Sequence, residues 1–273
     1  MQFDVELVGK IGSMALISKK DRIIDYTRVA RLSAELKPGY IWVSSGATEI
    51  GRLDYRMRTG QDLPDTEEYK ADYAAQGQTI LMETYRRYIN PNYGVRQVLV
   101  EHQHFNQPEK CEHLKRLLLR CAEQNAIPIV NYNDCVSAEE NRRMEIASLA
   151  TTCEHVYEGV DNDETAAHIA SLVHAKTLVI LTCVDGIYTD PADPSTLVRE
   201  IAGKNDLELV SEIERYKAYC AGASRKFAGG ARAKLEYVKE AAALGTEVLI
   251  ANAKYSLAEI RAGEVPCTRI RIR

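Results

Sequence analysis

Four polar residues stand at the ends of short apolar segments, and their types suit the binding of a small charged ligand. They are Lys10, Ser45, Asp134 and Thr182. Ser45 belongs to a serine-glycine turn, residues 44–47, that opens a helix, and the free amides at a helix start favour an anion. Because ligands of open α/β sheets bind beyond the carboxyl ends of the strands, the four residues together predict a shared cleft.

Each of these residues also has a plain structural interpretation. Lys10 could be a solvated loop lysine, Ser45 a helix cap, Asp134 a turn residue and Thr182 an ordinary strand residue. Any one of them alone is weak evidence, so the prediction of a cleft depends on the four positions taken together.

The elements that must position these residues follow from apolar spacing. Alternating or continuous apolar segments predict strands, and apolar residues at helical spacing predict helices. The predicted strands are residues 3–8, 40–43, 94–100, 126–130, 177–182, 247–250 and 268–272. The predicted helices are residues 24–36, a run after 47, 73–88, 109–124, a run that follows 161–163 and ends at 174, 231–244 and a short one near 257.

Turns and loops complete the expected architecture. A loop is predicted at residues 9–13 and a turn at Gly229-Gly230, while residues 137–155 form an excursion with at most a short helix. The alternation of strands and helices predicts a three-layer αβα fold of the α/β class, in which helices cover both faces of an open, mainly parallel sheet.

The composition argues against several classes of protein. The 273 residues are 45% hydrophobic and 27% charged with a formal net charge of -4, so neither disorder nor a strongly basic nucleic-acid surface is indicated. Seven cysteines without a CxxC pair argue against a disulfide framework or a zinc site. No apolar segment reaches the roughly 18 residues of a membrane span. We therefore expect a cytoplasmic protein with no membrane or nucleic-acid partner.

Six segments in a fixed order carry a resemblance to a known family. They are GKIGS at 9–13, VSSGA at 43–47, VNYND at 130–134, VDND at 160–163, LTCVDGIYT at 181–189 and AGGARAKLE at 228–236. In their order and spacing these segments resemble the amino acid kinase family, and within it the glutamate 5-kinases. No single segment is decisive, whereas the six in order are.

The resemblance implies ATP-dependent phosphorylation of the side-chain carboxylate of L-glutamate. It implies a single domain, residues 1–273, with an acceptor-binding lobe at about 1–159 and a nucleotide-binding lobe at about 160–273. Lys10 and Lys234 match two lysines that contact the transferring phosphoryl group, and Asp163 matches the aspartate that orients both. A carboxylate acceptor is already ionised at neutral pH, so this chemistry needs positioned charge more than proton transfer. The plain alternatives are a surface lysine for Lys234 and a helix cap for Asp163.

The resemblance also implies ligand contacts. The acceptor-binding positions are Ser45, Gly46, Asp134 and Asn162, where a hydroxyl and amides can hold a carboxylate and Asp134 can pair with an ammonium group. The nucleotide-binding positions are Lys10, Gly12, Ser13, Thr182, Cys183, Gly229, Gly230 and Lys234. Mg²⁺ is expected to bridge the ATP phosphates mostly through water and phosphate oxygens, so no side chain is assigned as a metal ligand.

Four features depart from the family pattern. Met14 stands in place of a second hydroxyl residue, Tyr132 in place of a glutamate and Cys183 in place of an aspartate, and the segment 135–160 is longer. They leave open a kinase for another small acid, a phosphonate, an isoprenyl phosphate or a nucleoside monophosphate, and also a non-catalytic ligand-sensing or storage protein.

Two further expectations concern assembly and a C-terminal domain. The resemblance implies a homo-oligomer, either a dimer or a tetramer. Because the sequence ends just after the last predicted strand, we expect no C-terminal PUA-type domain.

Overall fold

The protein is described here by a computed structural model covering residues 2–18, 22–137, 139–151, 156–158, 161–220 and 225–273, with the backbone alone for 139–142 and 225–229. Its strands, in chain order, are β1 Val5–Ile11, β2 Ile17–Ser18, β3 Ile23–Ile24, β4 Tyr40–Ser44, β5 Gly94–Val100, β6 Ala126–Tyr132, β7 Ala175–Thr182, β8 Glu200–Gly203, β9 Glu247–Asn252 and β10 Cys267–Ile272. Its helices are α1 Ser13–Leu16, α2 Tyr26–Ala34, α3 Ala47–Thr59, α4 Glu67–Tyr88, α5 Gln103–Asn106, α6 Pro108–Glu123, α7 Glu139–Leu149, α8 Asn162–Leu172, α9 Asp206–Cys220, α10 Arg225–Tyr237, α11 Lys239–Ala243 and α12 Leu257–Ala262.

Two compact units divide these elements. Unit I consists of Met1–Ile11, Gly39–Ile41 and Asp163–Arg273, and unit II consists of Gly12–Pro38 and Trp42–Asn162. The first strand therefore belongs to the unit that contains the C-terminal part of the chain, whereas the predicted acceptor lobe began at residue 1. The assignment of one ligand to each lobe stays a prediction.

Unit I is built on strands in the order β1-β7-β9-β10-β8. β1 and β9 both run parallel to β7, while β10 runs antiparallel to β9 and parallel to β8. The residues from Leu178 to Leu181 in β7 are all buried. Such a continuous apolar segment is typical of a parallel strand that is covered on both faces.

Unit II contains the parallel strands β5-β6-β4 and a small antiparallel pair, β2 and β3. Every residue of β6 is buried. Two glycines allow α3 and α4 to pack backbone against backbone, since a Cβ on Gly51 would lie 1.8 Å from the Tyr73 carbonyl oxygen and one on Gly77 would lie 1.8 Å from the Ala47 carbonyl oxygen. The predicted fold class, a mainly parallel sheet flanked by helices, is confirmed.

Two local predictions are wrong. The loop expected from residue 9 does not begin there, because Gly9, Lys10 and Ile11 continue β1 and pair with residues 179–181 of β7. The turn expected at Gly229-Gly230 is absent, since both glycines lie within α10. In each case a glycine interrupts the apolar pattern without interrupting the backbone structure.

Several element boundaries also differ from the expected ones. The predicted helix 231–244 is two helices, α10 and α11, and β8 and α9 were not predicted. Within the segment 137–155, which had no clear period and at most a short predicted helix, the structure has α7, while residues 138 and 152–155 lie outside the described part. None of the helices that the structure describes is long and apolar enough to cross a membrane.

Candidate active site

Two lysines and one aspartate form a largely buried charge cluster in unit I. Lys10 Nζ lies 2.6 Å from Asp163 Oδ1, and Lys234 Nζ lies 2.9 Å from Asp163 Oδ2. Lys10 and Asp163 are 7% and 3% exposed, whereas the side chain of Lys234 is 21% exposed. The cluster therefore carries a net positive charge and meets solvent mainly at Lys234.

Lys10 lies in a strand, and the other two members of the cluster lie at helix ends that suit their charges. Lys10 lies in β1 opposite Ile180 of β7, so its interpretation as a solvated loop lysine is wrong. Asp163 stands in the first turn of α8 and Lys234 in the last turn of α10. The helix dipole favours a carboxylate at a helix start and a cation at a helix end.

The two lysines determine the charge state of Asp163. Burial alone would raise the pKa of this carboxyl, because it disfavours the charged form, but the charges and hydrogen bonds of Lys10 and Lys234 outweigh burial and hold the pKa below its ordinary value. Asp163 is therefore ionised at neutral pH, and each of its oxygens pairs with one ammonium group. This arrangement suits a residue that holds the lysines in place better than it suits a general base.

A cavity of about 590 Å³ lies in unit I and includes Lys234 in its wall. Its volume falls within the range of small-molecule pockets, roughly 300–1,000 Å³. Three further predicted nucleotide-binding residues line it, namely Thr182, Cys183 and Gly230. The structure thus brings four of the predicted nucleotide-binding residues to one cavity.

The end of β7 shapes part of this cavity. The Thr182 hydroxyl donates to the Val184 carbonyl oxygen at 2.8 Å and accepts from the Val184 amide at 3.0 Å, so it stabilises the turn after the strand. Cys183 has a free, exposed thiol, and its carbonyl oxygen accepts from Asn252 Nδ2 at 3.1 Å. The backbone of this turn is therefore held in place beside the cavity.

Gly230 lies within α10 and faces the cavity. A Cβ at this position would have one neighbour within 4 Å among the described residues, Lys234 Nζ at 3.8 Å. The Gly230 carbonyl oxygen also accepts from Lys234 Nζ at 3.5 Å. The backbone of Gly229 is helical, while its surroundings lie outside the described residues. Packing against the described residues does not require a glycine at 230, and a glycine here would let a ligand approach the helix backbone closely.

A buried amide network forms a second candidate region, within unit II. Asn162 Nδ2 donates to Ser45 Oγ at 3.1 Å and to Asn131 Oδ1 at 3.0 Å, and Asn131 Nδ2 donates to Gln78 Oε1 at 2.9 Å. The three amide residues are at most 9% exposed. Asn162 Oδ1 and Gln78 Nε2 have no hydrogen-bond partner among the described residues, and buried polar atoms in that state favour a ligand.

Two members of this network were not predicted from the sequence. Asn131 lies within the VNYND segment, from which only Asp134 was selected. Gln78 lies in the predicted helix 73–88 and is buried beside Gly77 among the core residues of α4. A polar residue at a helix position where an apolar one is expected is the sequence signal that could have identified it. The two residues are 53 positions apart, so the sequence alone could not pair them.

Gly46 and Ser13 lie close together in unit II. Gly46 precedes α3 with a φ of 108°, a backbone region that favours glycine. A Cβ on Gly46 would lie 3.0 Å from Leu16 Cδ1 and 3.7 Å from Ser13 Cα. Gly12 precedes the short helix α1, where its carbonyl oxygen accepts from the Ala15 amide at 2.9 Å. The segment after β1 thus packs against the start of α3.

The residues after β6 form a turn that includes Asp134. This aspartate is half-buried at the start of the turn 134–136, and its role in acceptor binding stays a prediction. Tyr132, which replaces the expected glutamate, is buried, and its hydroxyl lies 2.9 Å from Ser137 Oγ. The segment 135–160, which is longer than the family pattern, therefore contacts Tyr132 near its start, through Ser137.

Comparisons with known proteins identify the family. Residues 6–252 match the sequence model of a family described as "Amino acid kinase family". A Glutamate 5-kinase 1 of Bacillus licheniformis is 30% identical over 257 residues, which cover 89% of this chain and 62% of that protein. A Glutamate 5-kinase of Clostridium perfringens is 29% identical over 255 residues, which cover 90% of this chain and 87% of that protein. The chain spans about 62% of the length of the first of these relatives.

Solved structures support the fold. The UMP kinase of Ureaplasma parvum has a TM-score of 0.52 and 14% identity, covering 98% of this chain and 99% of that chain. An isopentenyl phosphate kinase from T. acidophilum, solved as a product complex, has a TM-score of 0.52 and 16% identity, covering 97% and 98%. At such low identity these likenesses concern the fold alone.

Proposed function

The chain belongs to the amino acid kinase family, and from that premise we propose that it transfers the terminal phosphoryl group of ATP to the side-chain carboxylate of L-glutamate. The product would be γ-glutamyl phosphate, a first step toward proline. The observation that carries the proposal is the contact of Lys10 and Lys234 with the two oxygens of Asp163. Phosphoryl transfer depends on positioned charge, which this cluster supplies.

The electrostatic effect of one lysine is large enough to change the rate substantially. Two unit charges about 4 Å apart interact by roughly 4 kcal/mol at an effective dielectric constant of 20. Each 1.36 kcal/mol corresponds to about a factor of ten in rate, so one lysine can contribute on the order of a thousandfold. Asp163 keeps the two ammonium groups in place without neutralising both.

Magnesium fits this proposal as a companion of the nucleotide. Among the described residues no group of three or more His, Cys, Asp or Glu side chains could hold a metal ion. Asp163 is engaged by two lysines, so it is poorly placed to bind a cation. Mg²⁺ would then be held mainly by the ATP phosphates and water, where it neutralises phosphate charge.

The acceptor part of the proposal is supported by relatives and by the amide network. Curated relatives at about 30% identity are named glutamate 5-kinases. Ser45 and Asn162 are in contact, and the unpartnered atoms of Asn162 and Gln78 offer an acceptor and a donor. An amino acid presents a carboxylate and an ammonium group, which need donors and acceptors respectively.

A coupled assay of ADP release tests this function. The protein is supplied with saturating Mg-ATP and with L-glutamate, L-aspartate, UMP or isopentenyl phosphate in separate reactions. We expect turnover with L-glutamate to exceed that with each other acceptor. Absence of turnover above background at millimolar L-glutamate would remove glutamate as the substrate.

A second candidate function keeps the kinase chemistry and changes the acceptor. Tyr132 and its contact with Ser137 favour it, because a buried aromatic ring stands where a glutamate is expected. Turnover with UMP or isopentenyl phosphate, together with none for L-glutamate, would support this alternative. The homo-oligomer and the cytoplasmic location stay predictions.

A further inference from the structure

A chain of hydrogen bonds in unit II ends at the peptide group between Ser45 and Gly46. Trp42 Nε1 donates to the Tyr85 hydroxyl at 2.9 Å, the Tyr85 hydroxyl donates to Ser44 Oγ at 2.8 Å, and the Ser44 hydroxyl donates to the Ser45 carbonyl oxygen at 3.1 Å. Trp42, Ser44 and Tyr85 are at most 2% exposed. The Ser45 carbonyl oxygen can only accept, so the Ser44 hydroxyl gives its one proton to it and accepts from Tyr85, while the indole group at the other end can only donate.

We propose that Tyr85 is a positioning residue for acceptor binding, which acts through Ser44 on the orientation of the Ser45–Gly46 peptide. This inference rests on the proposed function for the identity of the acceptor. Tyr85 itself does not touch the acceptor. It determines where the amide of Gly46 points, and that amide meets the acceptor's carboxylate.

The geometry of a peptide group explains how a distant hydroxyl can have this effect. The peptide is planar, and its C=O and N–H bonds point in opposite directions. A carbonyl that is held toward Ser44 therefore directs the Gly46 N–H away from Ser44. The hydrogen bond to the carbonyl also polarises the peptide, which makes its N–H a stronger donor. Gly46 has a φ of 108°, and its own carbonyl oxygen accepts from the Ile50 amide at 2.9 Å, so the contact from Ser44 adds a restraint on the preceding peptide.

Tyr85 is suited to this task over the whole physiological pH range. Burial raises the pKa of Tyr85 to about 12, against smaller opposing effects of its hydrogen bonds with Ser44 and Trp42. The phenol therefore keeps its proton and can always donate to Ser44. Buried hydroxyls can also form such chains simply to satisfy one another, and the test must separate that structural role from positioning.

Tyr85→Phe removes the central hydroxyl, and Tyr73→Phe is its matched control. Tyr73 lies on the same helix, α4, and is 1% exposed, but its hydroxyl accepts from the Leu63 amide at 2.5 Å and is not part of the chain. Two measurements are made on both variants: the ¹H-¹⁵N resonance of the Gly46 amide in the ligand-free protein, and steady-state kinetics with L-glutamate and Mg-ATP.

We expect the Gly46 resonance to move in Tyr85→Phe and to stay in place in Tyr73→Phe. We also expect Tyr85→Phe to raise the KM for L-glutamate about five- to tenfold, the effect of losing one hydrogen bond. The KM for ATP and kcat should change less than twofold. Both variants should lose stability, which alone would not produce this difference.

An unchanged Gly46 resonance in Tyr85→Phe would overturn the inference, and so would equal KM effects in the two variants. The proposed function fails separately, if the wild-type protein does not phosphorylate L-glutamate. In that case the Gly46 resonance still decides whether Tyr85 orients the peptide.

Discussion

Asp163 is the residue on which the charge cluster depends, because each of its oxygens holds one lysine. It is 3% exposed, so removal of its charge would leave two cations in a poorly solvated place. The cost of breaking a buried ion pair in this way is about 3–5 kcal/mol. The same side chain therefore serves both stability and the placement of Lys10 and Lys234.

Asp163→Asn should make the free energy of unfolding less dependent on pH in the acidic range. The folded-state pKa of Asp163 lies below its ordinary value of 3.8, so its ionised form stabilises the fold above that value, and the contribution is lost as pH falls through the folded-state pKa. We expect the variant to be less stable by about 3 kcal/mol at pH 7. The difference should shrink as the pH falls below 4 in urea unfolding experiments.

The matched control is Asp65→Asn. Asp65 also pairs with two cations, Arg52 and Lys70, each at 3.8 Å, but its side chain is 80% exposed. Exposed pairs contribute about 0–1 kcal/mol, so this variant should change the free energy of unfolding by less than 1 kcal/mol. Equal losses in the two variants at pH 7 would contradict the account of Asp163.

Lys234→Met should remove catalysis while largely preserving the fold. The change keeps the apolar stem but removes the positive charge nearest to solvent. We expect kcat to fall by about a hundredfold or more, because one unit charge near the moving phosphoryl group contributes several kcal/mol. Steady-state ADP release and thermal unfolding measure the two effects.

Lys217→Met provides the control for this experiment. Lys217 is also a lysine of unit I with two carboxylate partners, Glu214 and Glu236, and its side chain is 11% exposed. It should lose stability without a large change in kcat. If Lys234→Met kept the wild-type rate, Lys234 would not contribute to phosphoryl transfer, whereas a ligand-sensing or storage protein would show no rate in either form.

At the scale of elements, the glycines at the two ends of α3 are favoured for different physical reasons. Gly46 has a positive φ at the start of α3, and Gly60 has one, 73°, at its end. A Cβ on Gly60 would have no neighbour within 4 Å among the residues that the structure describes, whereas one on Gly46 would lie 3.0 Å from Leu16 Cδ1. Substitution of each glycine by alanine imposes backbone strain at both positions, so a difference between the two variants reports the role of Gly46 in the acceptor site.

Gly46→Ala should therefore weaken acceptor binding, and Gly60→Ala should not. Both variants place alanine in the left-handed region, which costs on the order of 1 kcal/mol of stability. We expect Gly46→Ala alone to raise the KM for L-glutamate, by about tenfold or more, since its peptide must also move away from Leu16. A normal KM in Gly46→Ala would argue against an acceptor site at the start of α3.

Gly230→Ala should change stability and nucleotide binding in opposite directions. Alanine is favoured over glycine within a helix by about 0.5–1 kcal/mol, and the added Cβ has room beside Lys234. We expect a higher melting temperature of the ligand-free protein and a higher KM for ATP, because the methyl group enters the cavity. Greater stability without a change in the KM for ATP would mean that the nucleotide does not approach Gly230.

The elements that could be predicted from sequence were those with a strong apolar period. β6 and β7 were expected within a few residues of their observed bounds, because continuous apolar segments mark buried parallel strands. β1 was expected to end too early, since the apolar pattern does not show that Gly9 and Lys10 can pair with β7. Burial of Lys10 depends on its contact with Asp163, which is 153 residues away.

At the scale of the whole chain, the six ordered segments predicted more of the site than periodicity could. They led to Lys10, Asp163 and Lys234, which the structure places in one cluster, and to Ser45 and Asn162, which are in contact. They did not lead to Gln78, Asn131 or Tyr85. Each of these acts through a partner far away in sequence, and only the folded structure shows such partners.

The chain's similarity to relatives and its departures from their pattern concern different parts of the proposal. The family model covers residues 6–252, which include every residue assigned to the charge cluster. Tyr132 and the segment 135–160 lie where the acceptor is expected to be recognised. Phosphoryl transfer and the choice of glutamate are therefore separate claims, and one measurement can address both.

That measurement is the trapping of the product with hydroxylamine. An acyl phosphate reacts with hydroxylamine to give a hydroxamate and phosphate, whereas a phosphate ester or a diphosphate does not. With Mg-ATP and L-glutamate we expect γ-glutamyl hydroxamate to form in step with ADP, and to be lost in Lys234→Met. Release of ADP without hydroxamate, or no ADP release with L-glutamate, would contradict the proposal that this chain phosphorylates the side-chain carboxylate of glutamate.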